Sequence, residues 1–242
     1  MKLITSHFNP KLFLYLLLGF VLCTIIGTVT HELGHAAATS LQGRGWKLHY
    51  DSMSPAKSKF IDEFNAAYEK DKDKIKSKTS SSEKEAFLNL KVDLLKQYKH
   101  EDLLMRLGGP LQTMLTGTVG VSFLWMSRRK KQYNNALSLK EWILVLIGFF
   151  WSRQLGILLQ KIYYTIIGHQ GKGDEEKIAL HLHLNQWSVI TIWGIMGTLI
   201  LIWVTFYAIP LQQRLTFISA GLTGSLLGAA LWFGFLGPII LP

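Results

Sequence analysis

Long apolar segments alternate with polar ones along this 242-residue chain. Residues 12–30 carry no charge, and further apolar runs follow Gly108, Trp142, Ser188 and Thr216. Each run is long enough for a helix across the hydrocarbon core, which takes about 20 residues at 1.5 Å rise per residue. The pattern therefore predicts an all-α, multi-pass transmembrane bundle. Its five predicted spans are residues 12–38, 107–126, 142–167, 188–209 and 216–240.

One polar block, residues 43–106, lies between the first two predicted spans. Ser54-Pro55 is a signal that opens a first helix, because proline is favoured in the first helical turn. Ser82 followed by Glu85 forms a capping box that predicts the start of a second helix. We therefore predict a helical, extramembrane insert within a single membrane domain that comprises residues 1–242.

The formal net charge of +10 would suggest nucleic acid as a partner for a soluble protein. Here most basic residues lie in loops beside apolar segments, where they set topology and contact anionic headgroups. The aromatic residues lie in or beside the apolar runs and are not interleaved with basic ones, as a nucleic-acid platform requires. We expect the lipid bilayer as a partner, no nucleic acid, and a location in the cell membrane if the source is bacterial. Cys23, the single cysteine, excludes an intrachain disulfide and a multi-cysteine zinc site.

The end of the first predicted span carries the sequence His-Glu-Leu-Gly-His at residues 31–35. His31 and His35 are four residues apart, so a helix places both imidazoles on one face, where they can share one zinc ion. Glu32 lies beside the first histidine and can act as general base for the attacking water. Ionisable residues are costly to insert in a membrane span, so their clustering indicates a functional site. The sequence predicts one Zn²⁺ per chain.

With these residues the chain resembles the site-2 protease family of intramembrane zinc metalloproteases. Its first-span His-Glu-Leu-Gly-His is followed by small residues, and Gly108-Gly109-Pro110 is similar to the family's Gly-Pro motif in a later span. The resemblance covers the first two predicted spans. It implies a zinc-dependent endopeptidase that cleaves membrane-protein substrates in or near their transmembrane segments, with His31 and His35 as zinc ligands and Glu32 as the catalytic base.

The resemblance also implies a third zinc ligand, an Asp in an Asn-Pro-Asp-Gly or Leu-Asp-Gly context that this sequence lacks. Asp174 is our first candidate, because it follows a span, begins a predicted helix and is preceded by glycines that let the backbone bend toward the metal. His181, two helical turns from Asp174 on the same face, is the second candidate. Glu175 and His169 are further alternatives.

Four residues of the later spans are candidates for binding the substrate or supporting an oxyanion. Arg153 is the strongest, because an arginine within a span marks a functional site and its charge can stabilise developing negative charge. An ion pair that serves only the fold is the alternative for this residue. Gly109, Pro110 and Gln112 are the other three candidates.

Two other functions share these residues. A membrane zinc hydrolase acting on a lipid or a small amide would use the same metal ligands, so only substrate assays separate it from a protease. A non-proteolytic regulator or transporter with a relic metal site would keep its function when Glu32 is changed to Gln. The sequence leaves the oligomeric state open, because Gly224 and Gly228 form a small-xxx-small pair that suits a contact within the chain or between two chains.

Overall fold

The computed structural model describes residues 3–56, 59–76, 82–129, 136–169 and 173–242 of the chain. Its regular structure is almost entirely helical, as the apolar pattern predicts. The elements are α1 (Pro10–Leu41), β1 (Trp46–Leu48), β2 (Met53–Pro55), α2 (Lys59–Lys70), α3 (Lys72–Lys76), α4 (Ser82–Arg128), α5 (Leu139–Gly148), α6 (Ser152–Ile166), α7 (Asp174–His181), α8 (Ser188–Trp203), α9 (Arg214–Leu231) and α10 (Gly237–Ile240). Short 3₁₀ turns, Phe149–Trp151 and Leu211–Gln213, and π turns, Val204–Ala208 and Trp232–Leu236, continue neighbouring helices.

The described residues contain four helices that are long and apolar enough to cross a membrane, so the prediction of five spans is wrong by one. These helices cover Pro10–Leu41, Leu139–Ile166, Ser188–Ala208 and Leu211–Ile240. The predicted second span, 107–126, is not among them, because Gln112 and a series of threonines and glycines dilute its apolar character. It forms instead the C-terminal part of α4, which packs against α1 and α5.

Helix α1 turns one face to the bundle and the opposite stripe outward. Its buried face carries apolar residues in the N-terminal half and the two histidines, His31 and His35, further along. Its exposed stripe consists of large apolar side chains spaced four residues apart: Leu14, Leu18, Leu22 and Ile26. A continuous apolar stripe of this size suits contact with lipid rather than water. The histidines are therefore on the face that meets other helices.

Two glycines of α9 allow α1 to approach it closely. A Cβ atom added to Gly224 would lie 2.7 Å from the Leu17 carbonyl oxygen, and one added to Gly228 would lie 2.9 Å from the Thr24 Cβ. The small-xxx-small pair therefore serves a contact between two helices of the same chain.

The polar block begins with a β-hairpin, so the prediction that Ser54-Pro55 opens a helix is wrong. Strands β1 and β2 pair antiparallel, with Trp46 opposite Pro55 and Leu48 opposite Met53. Proline is accepted in an edge strand as readily as in the first turn of a helix, so the dipeptide does not distinguish the two. The helical part follows in α2 and α4, where the rings of Phe64 and Phe87 lie 5.3 Å apart between centroids.

Helix α4 begins at Ser82, as predicted, and continues through Pro110 to Arg128. One helix therefore crosses the predicted boundary between the polar block and the second span, and Pro110 lies within a helix rather than near a helix start. Because proline has no N–H, the Arg106 carbonyl lacks the donor it would normally have four residues later. One helix thus runs from the polar block into the bundle.

The helix that covers the predicted third span contains a short 3₁₀ turn. A 3₁₀ turn at Phe149–Trp151 separates α5 from α6, and Arg153 follows in the first turn of α6. The next side chain, Gln154, is buried.

Helix α7 is short and is held in place by apolar contacts. Ile178 and Ala179 are fully buried against Leu103 and Leu107 of α4 and Val189 of α8. This packing places the N-terminus of α7 beside the contact between α1 and α4.

Candidate metal centre

Helices α1 and α4 meet backbone to backbone at Gly34 and Gly108. A Cβ atom added to Gly34 would lie 2.5 Å from the Gly108 carbonyl oxygen, and one added to Gly108 would collide with the Gly34 carbonyl. Only glycine at both positions permits this approach, which brings the next turn of each helix together. As a result Gly109 faces the two imidazoles without a side chain: an added Cβ would lie 2.6 Å from His31 Nε2 and would also meet His35 Nε2.

Three potential ligand atoms converge beside Gly109. The Nε2 atoms of His31 and His35 lie 3.2 Å apart. Asp174 Oδ2 lies 3.7 Å from His31 Nε2 and 3.2 Å from His35 Nε2. A tetrahedral ion with bonds of about 2.0–2.1 Å separates its ligand atoms by roughly 3.3 Å. The three atoms are therefore spaced as ligands of a single tetrahedral metal ion.

The outer nitrogens of both imidazoles are fixed by α4. His35 Nδ1 lies 2.7 Å from the Met105 carbonyl oxygen, and because a carbonyl can only accept, this nitrogen donates. The Gly109 N–H lies farther from it, at 3.3 Å. His31 Nδ1 lies 3.0 Å from Thr113 Oγ1, whose hydroxyl donates to the Gly109 carbonyl at 3.1 Å and so accepts from the imidazole. Both rings therefore turn the Nε2 lone pair toward the common centre, as metal ligands do.

Asp174 brings negative charge to this centre. Burial raises the pKa of its carboxyl, but hydrogen bonds that His31 and His35 donate when Nε2 carries a proton outweigh burial, so the net pKa of Asp174 lies well below its ordinary value. Asp174 is therefore a carboxylate at neutral pH. Lone pairs at these separations repel one another unless positive charge, from a proton or a metal ion, lies among them.

Glu32 completes the group next to the ligand atoms. One of its carboxylate oxygens lies within 4.8 Å of one nitrogen of each histidine, and its side chain is buried. The Glu32 carboxylate therefore lies close to the potential ligand atoms of both histidines. It is placed to accept a proton from a molecule bound at the centre.

Arg153 reaches the centre from the start of α6. Its Nη2 lies 2.8 Å from His31 Nε2 and donates to it. Because Nε2 of a neutral imidazole has a single lone pair, it cannot accept from Arg153 and bind a metal at the same time. Metal binding at His31 Nε2 would therefore break this hydrogen bond and leave the Arg153 guanidinium free to contact a molecule bound at the centre.

The second carboxylate oxygen of Asp174 lies at one end of a chain of charged and polar contacts outside the centre. Arg106 Nη1 lies 3.6 Å from Asp174 Oδ1, and Arg106 Nε donates to Asp102 Oδ2 at 2.8 Å. His181 Nε2 lies 3.2 Å from the same Asp102 oxygen. His181 is thus connected to Asp174 through two residues of α4 and is not beside the two histidines.

The other candidates for the third ligand have different surroundings. The His169 ring contacts Tyr164, with centroids 4.7 Å apart. The Glu175 side chain is fully buried, and burial raises the pKa of its carboxyl. Of the four candidates, Asp174 has an oxygen at both histidine nitrogens. Of the two glycines that precede Asp174, Gly171 lies outside the described residues, and Gly173 is the extended N-cap of α7.

Two of the four residues predicted to bind the substrate or support an oxyanion contact the imidazoles. Gly109 and Arg153 contact the imidazoles, whereas Pro110 is buried inside α4. The Gln112 amide donates to Thr116 Oγ1 at 3.0 Å, and its carbonyl oxygen lies 3.5 Å from Thr113 Oγ1. The hydroxyl that contacts His31 belongs to Thr113, not to Gln112.

Sequence reasoning missed Asp102, Arg106 and the Met105 carbonyl. A signal for two of them was present, because Asp102, Arg106, Gly109 and Thr113 follow a 4-3-4 spacing that marks one face of a helix. Dividing the helix after residue 106 concealed that face.

Comparisons of the chain with protein families, curated proteins and solved structures find no match.

Proposed function

We propose that this chain is a zinc-dependent intramembrane endopeptidase that hydrolyses peptide bonds in or near transmembrane segments of substrate proteins. The observation that carries the proposal is the convergence of His31 Nε2, His35 Nε2 and Asp174 Oδ2 at distances between 3.2 and 3.7 Å. Two imidazoles and a carboxylate, with a fourth position left for water or substrate, are a typical ligand set of catalytic zinc. The resemblance of residues 31–35 and 108–110 to the site-2 protease family supports the same function.

Each residue of the site has a separate task in this proposal. When bound, zinc would act as a Lewis acid toward water and a peptide carbonyl. Glu32 accepts the proton of the attacking water and returns it to the leaving amine. Met105 and Thr113 hold the imidazoles in the tautomer that keeps Nε2 free.

Arg153 is the group that we assign to the negative charge that develops on the substrate. Its hydrogen bond to His31 Nε2 is lost when that nitrogen binds a metal, so the guanidinium becomes available beside the centre. A preorganised positive group aimed at developing charge is the usual means of stabilising an oxyanion.

The position of the site on α1 supports a substrate in or near the membrane. His31 and His35 belong to a helix that is long and apolar enough to cross a membrane. A substrate helix must unwind locally there, because its carbonyls are otherwise hydrogen-bonded within the helix. We place the protein in the cell membrane as a multi-pass protein if its source is bacterial.

The proposal is tested by metal analysis followed by a cleavage assay on the detergent-purified chain. We expect about one zinc per chain in the wild type and in Glu32→Gln, and none in His35→Ala. Reporter proteins with single transmembrane helices should be cut by the wild type and not by Glu32→Gln. Absence of zinc after supplementation would contradict the metal site, whereas hydrolysis confined to lipids or small amides would replace the endopeptidase with another zinc hydrolase.

A further inference from the structure

A cavity of about 240 Å³ lies beside His31, on the side of the preceding turns of α1. Thr24, Gly27 and Thr28 line it, and they share a helix face with His31 because they precede it by seven, four and three residues. Two further lining residues, Thr113 and Arg153, are the hydrogen-bond partners of the His31 imidazole. The cavity therefore adjoins the candidate metal centre through these two partners of His31.

The threonine hydroxyls in the cavity wall are already hydrogen-bonded within α1, so they do not make the wall strongly polar. Thr24 and Thr28 use their hydroxyl hydrogens within α1, donating to the Phe20 and Thr24 carbonyls at 2.9 and 3.0 Å, respectively. Most of the large side chains in the remaining lining are aromatic or aliphatic (Phe20, Leu146, Phe149 and Phe150), and Cys23, Ser152 and Ser225 contribute small, uncharged groups. Among the described residues that line the cavity, Arg153 alone is charged, and it stands at the end near His31. The chemistry suits an uncharged apolar group and disfavours a cation.

The volume is sufficient for a ring. A protein cavity of about 150 Å³ with apolar walls accepts benzene, and this cavity is larger, at about 240 Å³. A group that enters it from the metal centre would carry its polar atoms at His31 and Arg153 and its apolar part toward Phe20 and Phe149.

We propose that this cavity is the subsite for a leucine- or phenylalanine-sized side chain of the substrate residue next to the cleaved bond. The inference rests on the proposed zinc peptidase function, because that function places the scissile carbonyl at the metal centre. It goes further by naming the residue class that the enzyme prefers at one position.

The test measures binding of hydroxamates to the zinc-loaded, detergent-purified full chain. N-acetyl hydroxamates of alanine, leucine, phenylalanine and lysine share the zinc-binding group and differ in the side chain beside it. We expect the leucine and phenylalanine compounds to bind about tenfold or more tightly than the alanine compound, since burial of such side chains is favourable. The lysine compound should bind no more tightly than the alanine compound, because Arg153 repels its charge.

A variant that fills the cavity distinguishes binding of the side chain in the subsite from binding of the hydroxamate to the metal. A Cβ added to Gly27 would lie 3.7 Å from a ring carbon of Phe150, an ordinary contact, so Gly27→Leu can project into the cavity. We expect this variant to bind the phenylalanine and alanine compounds about equally, with alanine affinity near that of the wild type. Gly156→Leu is the matched control, because an added Cβ there has no neighbouring atom within 4 Å. It should keep the full preference.

Other results would overturn the inference. Equal binding of the alanine and phenylalanine compounds to the zinc-loaded wild type would exclude an apolar subsite while leaving the metal site intact. Retention of the preference by a folded Gly27→Leu chain would place the subsite elsewhere, and Gly27→Ala, which should show a smaller loss, serves if the leucine variant does not fold. A wild-type chain that holds no zinc would remove the proposed function and this inference together.

Discussion

The two carboxylate oxygens of Asp174 have different partners: Oδ2 lies 3.2 Å from His35 Nε2, and Oδ1 lies 3.6 Å from Arg106 Nη1. We expect Arg106→Gln to weaken zinc binding by about 10–100-fold, the usual effect of removing a group that orients a metal ligand. Competition with a chelator of known affinity measures the change. Arg44→Gln is the control, because Arg44 lies at the same 3.6 Å from Glu101 and is paired away from the centre. Equal affinities for the wild type and Arg106→Gln would contradict a positioning role.

The position of Glu32 next to the ligand atoms predicts a variant that separates binding from catalysis. Glu32→Gln should retain about one zinc per chain and lose roughly 10²–10⁴-fold in hydrolysis, which is the usual contribution of a general base. Metal analysis and the transmembrane reporter assay are made on the same preparation. Full activity in the zinc-loaded variant would assign the base to another residue.

Replacing Gly109 with alanine should be harmful, although the same change elsewhere in a helix is normally favourable. Replacing a helical glycine by alanine normally stabilises the helix by about 1 kcal/mol. At Gly109 the added methyl group would lie 2.6 Å from His31 Nε2 and also meet His35 Nε2, where a metal would bind. We expect Gly109→Ala to bind no zinc and therefore to show no rise in unfolding temperature when zinc is added. Gly156→Ala, with open space around its Cβ, should bind zinc normally.

The hydrogen bond from Arg153 to His31 predicts opposite effects on binding and turnover. Arg153→Met removes a competitor for the Nε2 lone pair and a positive charge, so zinc should bind up to about tenfold more tightly. Hydrolysis should fall, because the charge assigned to the oxyanion is lost. Loss of both properties together would indicate that Arg153 serves the fold instead.

Zinc should also stabilise the folded chain. A ligand at a thousand times its dissociation constant contributes about 4 kcal/mol to the free energy of unfolding. We therefore expect added zinc to raise the unfolding temperature of the wild type and a chelator to reverse the rise. His35→Ala should show neither change, and an equal rise in this variant would mean that zinc binds elsewhere.

Much of the fold could be predicted from the apolar pattern, because a membrane helix has to be apolar over most of its length. One predicted span, residues 107–126, is not among the helices that could cross a membrane. Residues 107–126 lie within α4, where neighbouring helices cover part of the surface, so the segment can contain Gln112 and many small residues. The pattern also divided α4 after residue 106, where polar residues give way to apolar ones, and placed Pro110 near a helix start. Packing can override the cost of a proline inside a helix, so α4 continues through Pro110.

The site was predictable to the extent that it is local. His31, Glu32 and His35 lie within one helical turn, so their spacing already places them together. Asp174 is far away in sequence, and its position depends on the packing of Ile178 and Ala179 against α4 and α8, which no spacing rule reports. The same holds for Arg106 and the Met105 carbonyl, which reach Asp174 and His35 only because Gly34 and Gly108 let two helices touch.

Helix α4 is a single rod about 70 Å long that begins in the polar block, at Ser82, and ends at Arg128. Its first part carries Phe87, which packs on α2, and its middle carries the groups that orient both imidazoles. The residues that contact α2 and the groups that direct the histidine lone pairs therefore belong to one helix. A change in the tilt of α4 would move Met105 and Thr113 and with them the direction of both lone pairs.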